Sequence, residues 1–103
     1  MKKNKASVSL DEVFAWSEKD PRWKAAYAKA GIEVRLAIQI AKARAKSRMT
    51  QGQLAKAIGT TQSVISRIER ANQNLTLKTL GKIASVLHAD LIVQLRYHTG
   101  FPS

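Results

Sequence analysis

From residue 50 to 70 the chain reads TQGQLAKAIGTTQSVISRIER, and its apolar positions fall at two separate helical phases. Leu54, Ala55 and Ile58 share one face of a first helix, and Val64, Ile65 and Ile68 share one face of a second. Thr50 with Gln53 three residues on forms a capping-box pattern that opens the first helix, predicted to run through Ile58. Gly59 ends it, and Thr61 caps the second helix, from Gln62 to about Arg70. The connection is short, so the helices must cross, and Ala55 is small enough to sit between them.

Upstream, Ser9-Leu10-Asp11-Glu12 is a second capping-box pattern, opening a short helix in which Leu10, Val13 and Phe14 share a face while Trp16 points elsewhere. Asp20-Pro21 starts another, with Trp23, Ala26, Tyr27 and Ala30 on one stripe and Gly31 able to stop it. The stretch IEVRLAIQI, 32–40, alternates apolar and polar residues as a strand would. The alanine-rich run that follows is strongly helix-forming, however, and Leu36, Ile40 and Ala43 also fit a helical stripe, so a helix is the better reading.

Downstream of the crossed pair, Thr76 caps a helix to about His88 whose buried stripe is Leu77, Leu80, Ile83, Ala84 and Leu87. The segment 91–97 (LIVQLRY) is the one convincing strand, with Leu91, Val93, Leu95 and Tyr97 facing one way. A single strand leaves its backbone unsatisfied. Pairing with the same strand of a second copy is the economical solution, which predicts a homodimer, and 99–103 is expected to fray.

Length and charge narrow the class. At 103 residues the chain suits one small domain with an appendage, and 18 Lys and Arg against 7 Asp and Glu give a formal charge of +11. That excess fits a polyanion, whether nucleic acid or an anionic membrane. With no cysteine there is neither a disulfide framework nor a thiolate zinc site, which suits a reducing, cytoplasmic setting. No signal-peptide hydrophobic region or run of transmembrane length is visible. No nucleophile–base set, carboxylate cluster, metal-ligand set or phosphate-cradling loop is present either, so neither an enzyme nor a cofactor or small-molecule binder is expected.

The second helix of the crossed pair keeps Gln62, Ser63, Ser66, Arg67 and Arg70 on a continuous polar face. With Gln51, Leu54-Ala55, Gly59 and the Q-S-x-I-S-R-x-E run from Gln62 to Glu69, the segment resembles the helix-turn-helix of the XRE, or Cro/phage-repressor, family. The resemblance implies a mostly α phage-repressor-like bundle over 32–90, a helical arm at 1–31, and a dimerisation strand and tail at 91–103. It implies base reading by Gln62, Ser63 and Arg67 in a palindromic double-stranded DNA operator. Glutamine suits adenine and an arginine fork suits guanine. Phosphate contacts are expected from Gln51, Lys46, Arg48, Ser66, Arg70, Asn72 and Asn74. The family's interhelical ion pair falls on Arg44 and Glu69. Two departures stand out, since Arg48 and the Ala71 loop occupy places where the family commonly carries glycine.

The wider pattern, from 20 through the C-terminal strand, resembles HigA-type antitoxins of toxin–antitoxin pairs. This implies a repressor of its own operon that also neutralises an RNA-cleaving toxin. The arm holds Phe14, Trp16, Trp23 and Tyr27, four of the six aromatic residues. Large aromatics at this density either pack back on the chain's own core or across a dimer, or form a partner-binding arm. A stand-alone repressor would share the DNA face but lack the toxin.

Overall fold

A computed structural model describes residues 10–98 and is helical throughout its regular elements: α1 (Leu10–Ala15), α2 (Pro21–Lys29), α3 (Ile32–Lys46), α4 (Gln51–Ile58), α5 (Gln62–Glu69) and α6 (Leu77–Val86). The expected Ser9 cap and the fraying end at 99–103 lie outside the described residues.

The main core lies among α3 to α6. Ile40, Leu54, Ala55, Ile65, Ile68, Ile83 and Leu87 form it, with Leu36, Ala43, Met49, Ile58, Val64 and Leu75 packed around them. The α4–α5 crossing puts Leu54 and Ile65, both 0% exposed, at its centre. Helix α3 therefore prevails over the strand-like alternation of 32–40: Leu36, Ile40 and Ala43 face the core, and a helix lets the chain bury Ile38 and Ala41 on a second face, with Ala37 buried toward Ile68 and the α5–α6 loop.

That second face is where the arm packs. Val13 of α1 is buried, and the four arm aromatics are each half-buried. Trp23 and Tyr27 stack with ring centroids 4.9 Å apart. Three residues along α3 hold α2 in place. Arg35 donates to the Tyr27 and Ala28 carbonyls at 3.0 and 2.8 Å, Gln39 donates to the Tyr27 hydroxyl at 2.6 Å, and Lys42 lies over the Trp23 ring. Asp20 caps α2 by accepting from the Arg22 amide, and the Arg22 side chain bonds the same carboxylate. That guanidinium holds the Asp20 carboxyl below its ordinary range and is itself pushed up. Gly31 adopts an extended conformation open to any residue, so it joins α2 to α3 without needing glycine's freedom.

Four helices end in the same hydrogen-bond pattern, in which one amide reaches back five residues and its predecessor three. The residue in the left-handed conformation is Gly59 after α4, but Arg48 after α3, Ala71 after α5 and His88 after α6, with φ of 58°, 58° and 56° for these three. The departures at Arg48 and Ala71 therefore replace the glycine without changing the turn. Helix α6 ends at Val86 with Leu87 as its cap, two residues short of the expected end at about His88.

One expectation is corrected, and a second is not met within the single chain. Leu77 is 64% exposed rather than part of the α6 stripe, because it stands at the first position of the helix, beyond the reach of the core. The strand at 91–97 is absent: no strand occurs among the described residues, and Leu91, Val93, Leu95 and Tyr97 are exposed. Strand structure requires a ladder, and no other segment among the described residues offers an extended edge to supply one.

Candidate nucleic-acid interface

The crossed pair is built as its sequence dictates. The Thr50 hydroxyl accepts from the Gln53 amide at 3.0 Å while the Gln53 side chain accepts from the Thr50 amide at 2.8 Å, closing the capping box. Thr61 does the same duty for α5, accepting from the Val64 amide. Neither helix has an acidic residue in its first turn, so the partial positive charge at both N-termini is left uncancelled.

Between these N-termini lies a shallow open dent lined by Gln51, Gln62, Ser63, Ser66 and Arg67. The structure thus brings together all three expected base-reading residues, one end of α4, and Ser66. Gln62, Ser63 and Arg67 are exposed, and Arg67 makes only a long 3.5 Å contact from Nε to the Ser63 carbonyl, which leaves its terminal nitrogens for a ligand. Gln62 reaches back over α4, its amide oxygen 3.6 Å from where a Cβ on Gly52 would stand. Lys46, Arg48 and Arg70 are exposed outside the dent. Asn72 and Asn74 line a different groove, beside Ile32 and Leu36 at the start of α3.

Beneath the dent lies a buried ion pair. Arg44 of α3 binds Glu69 of α5 through Nε–Oε2 at 2.6 Å and Nη2–Oε1 at 3.0 Å, and its Nη1 donates to the Met49 carbonyl. The Gln51 amide nitrogen also donates to Glu69 Oε1, at 3.1 Å. Gln51, expected as a phosphate ligand, is therefore tied to the ion pair by one amide hydrogen and keeps only its second for anything outside. Sequence reasoning missed this tie. Gln51 and Glu69 lie 18 positions apart, and only the α4–α5 crossing brings them together. The pair neutralises the Glu69 carboxylate, and the charged residue that lines the dent is Arg67.

Among the described residues no group of His, Cys, Asp or Glu could hold a metal, and no helix is long and apolar enough to cross a membrane.

Known structures share the fold over about 60% of this chain. The clp gene regulator ClgR from C. glutamicum superposes with a TM-score of 0.58 at 21% identity, over 60% of this chain and 80% of that one, a likeness of fold. The restriction-modification controller protein C.AhdI from Aeromonas hydrophila gives 0.55 at 25% identity, covering 62% and 88% of the two chains. The controller protein C.Esp1396I gives 0.56 at 32% identity, covering 60% and 82%. No curated protein matches the sequence. The helix-turn-helix family profile matches residues 40–92, from the middle of α3 past the end of α6. The chain belongs to the XRE-type helix-turn-helix family of DNA-binding transcription regulators.

Proposed function

We propose that the protein is a sequence-specific transcriptional repressor in which α5 enters the major groove, with Gln62, Ser63 and Arg67 reading base edges. The observation that carries this is their convergence with the two uncancelled helix N-termini in one open dent. Gln51, through its remaining amide hydrogen, and Ser66, Lys46, Arg48 and Arg70 bond phosphates around it. Asn72 and Asn74 follow on the flank. The solved relatives described as a gene regulator and as controller proteins support regulation as the role.

The active unit in this reading is a homodimer joined through 91–97, acting in the cytoplasm on a palindromic operator whose half-sites lie about 34 Å apart. Selection from a randomised pool of duplex DNA tests it. A two-fold symmetric motif with that spacing is expected, and uniform retention of all sequences would reduce the protein to a nucleic-acid packer.

The repressor is further read as the antitoxin of a type II pair that silences its own operon and neutralises an RNA-cleaving toxin. Support comes from the sequence resemblance running from 20 to the tail, and from Phe14, Trp16, Trp23 and Tyr27, which keep part of each ring open. Co-purification from the native operon segment decides between this and a stand-alone repressor. A small co-eluting protein lost on Trp16→Ala supports the antitoxin, whereas no partner leaves the stand-alone repressor.

A further inference from the structure

A second pocket, separate from the dent, opens between the α4–α5 turn and α6, with a volume of about 230 Å³. Thr60 of the turn, Gln73 and Asn74 of the α5–α6 loop, and Thr79 and Lys82 of α6 line it, and none of these lines the dent. No carboxylate stands among its lining residues. Between Val34 and Ala89 the sole acidic residue is Glu69, which is buried and bound to Arg44, so that stretch offers the Lys82 ammonium no partner. The pocket also holds idle donors. Among the described residues the amides of Gln73, Asn74 and Leu75 make no hydrogen bond within the chain, and the Thr79 hydroxyl accepts from Thr76 at 3.1 Å while keeping its own proton to give. A lining of donors around one cation is satisfied by a negative group with several acceptor oxygens, and a phosphate is such a group.

The position of the pocket against α5 says which phosphate. Glu69 turns toward Arg44 and Gln51, whereas Val64 turns into the pocket. Five positions apart at about 100° per residue, these two side chains leave α5 about 140° apart, on opposite flanks of the exposed Gln62, Ser63 and Arg67. Gln51 belongs to the Glu69 flank, and Lys46 and Arg48 lie in the chain between the two residues that bind Glu69. A helix with its side chains is about 10–12 Å across and the major groove about 12 Å wide, so a helix lying in that groove brings one DNA strand close to each flank. Gln51, Lys46 and Arg48 gather toward one strand. The Val64 flank, and the pocket with it, meets the other.

We propose that this pocket seats a backbone phosphate of the DNA strand opposite the one held by Gln51, Lys46 and Arg48, with Lys82 as its charge partner and Thr60, Thr79 and the loop amides as further donors. The inference rests on α5 entering the major groove, and it adds the contact that holds the groove's second edge. Asn74, already read as a phosphate contact, lines the same pocket and falls to the same strand. The seat fixes position and strengthens binding but carries no sequence information of its own.

The test uses the full chain and the duplex obtained by selection, synthesised with single neutral methylphosphonate linkages at successive positions on either strand. Each linkage that replaces a held phosphate should weaken binding about tenfold, the size of one charge-assisted hydrogen bond. In Lys82→Ala the effect should vanish at one or two positions on one strand and persist on the other, and in Lys46→Ala the strands should exchange roles. Lys82→Arg keeps the charge and should preserve the intact pattern. The seat is overturned if no position falls silent in Lys82→Ala, or if the silent positions are those of Lys46→Ala. The reading of α5 is tested apart from it, on the unmodified duplex, where Arg67→Ala must alter base preference for that reading to stand. Inorganic phosphate titrated into the DNA-free protein separates the two sources of phosphate. Saturating shifts of the Thr60, Gln73 and Thr79 amide resonances, lost in Lys82→Ala and accompanied by no silent position on DNA, would assign the pocket to a free phosphate-bearing ligand and overturn the backbone seat.

Discussion

Arg44 and Glu69, 25 positions apart, meet through two near-parallel hydrogen bonds of 2.6 and 3.0 Å, with 19% and 4% of their side-chain surfaces exposed. The pair joins α3 to α5, and Gln51 adds α4 to the same carboxylate. Removing one partner strands a buried charge. Arg44→Ala is therefore expected to cost about 3 kcal/mol in denaturant titration, whereas an Arg44→Met/Glu69→Leu double variant recovers most of that. If the double variant were as unstable as the single, packing rather than the ion pair would be the cause.

The left-handed residues give a stability prediction of opposite sign. A side chain in that conformation costs about 1–2 kcal/mol, and Ala71 and Arg48 both bear it. Ala71→Gly relieves the strain and should raise stability by about 1 kcal/mol after the added chain entropy is subtracted, read as a higher midpoint in thermal melts. Arg48→Gly should stabilise similarly yet weaken DNA binding, because in the proposed reading it also removes a phosphate contact. Arg48 thus trades stability for charge.

These turns show what the sequence made legible. Helix α4, its cap and the Gly59 turn could be read directly, because local chemistry and tertiary structure agree there. At Arg48 and Ala71 the local signal for a left-handed turn was missing, and the turn forms anyway because core packing on either side fixes the helix ends. The exposed face that brings Gln62, Ser63 and Arg67 together was legible from spacing along one helix. The Gln51–Glu69 bond was not, since it depends on where two helices cross. The tail misled for the reverse reason. Its alternation describes a strand correctly only when an edge exists to pair with, and sequence pattern carries no information about the second edge.

Helix α2 is bonded to α3 through Arg35 and Gln39, so truncation is expected to damage more than a binding surface. Ile38 is 1% exposed, and Ala41 is 8% exposed, on the part of α3 outside the main core. Deleting residues 1–30 should lower the melting temperature and promote aggregation, and Ile38→Ala alone should cost about 3 kcal/mol. Trp16→Ala should perturb stability far less, since its half-buried ring is stacked under the exposed Arg22 guanidinium. Circular dichroism melts of the three variants separate the cases; a deletion that melted like the intact chain would make the arm a detachable appendage.

Docking of α2 should weaken in acid. The Asp20 carboxyl is held below its ordinary value chiefly by the Arg22 side chain, so its contribution is present above the usual carboxylate range and fades as pH falls through the lowered value. Tryptophan fluorescence across that range reads it, since the same guanidinium lies 4.9 Å from the Trp16 ring centre. Asp20→Asn keeps an oxygen for the Arg22 amide but has no charge to lose, so its profile should be flat there. A matching acid transition in Asp20→Asn would assign the change to another group.

The division of labour at the DNA face is the most direct check on the functional reading. Arg67→Ala removes a forked donor from the dent and should lower discrimination at one base position by about 1–3 kcal/mol while leaving affinity for non-specific DNA nearly intact. Lys46→Ala removes an exposed charge outside the dent and should weaken binding to all sequences alike, with the salt dependence of log K falling by about 0.9. Fluorescence anisotropy with the selected operator and a scrambled duplex, each at several salt concentrations, reads both quantities. The reverse pattern, in which Lys46→Ala alters base preference and Arg67→Ala changes only the salt slope, would mean that α5 lies along the phosphate backbone and that another surface reads the sequence.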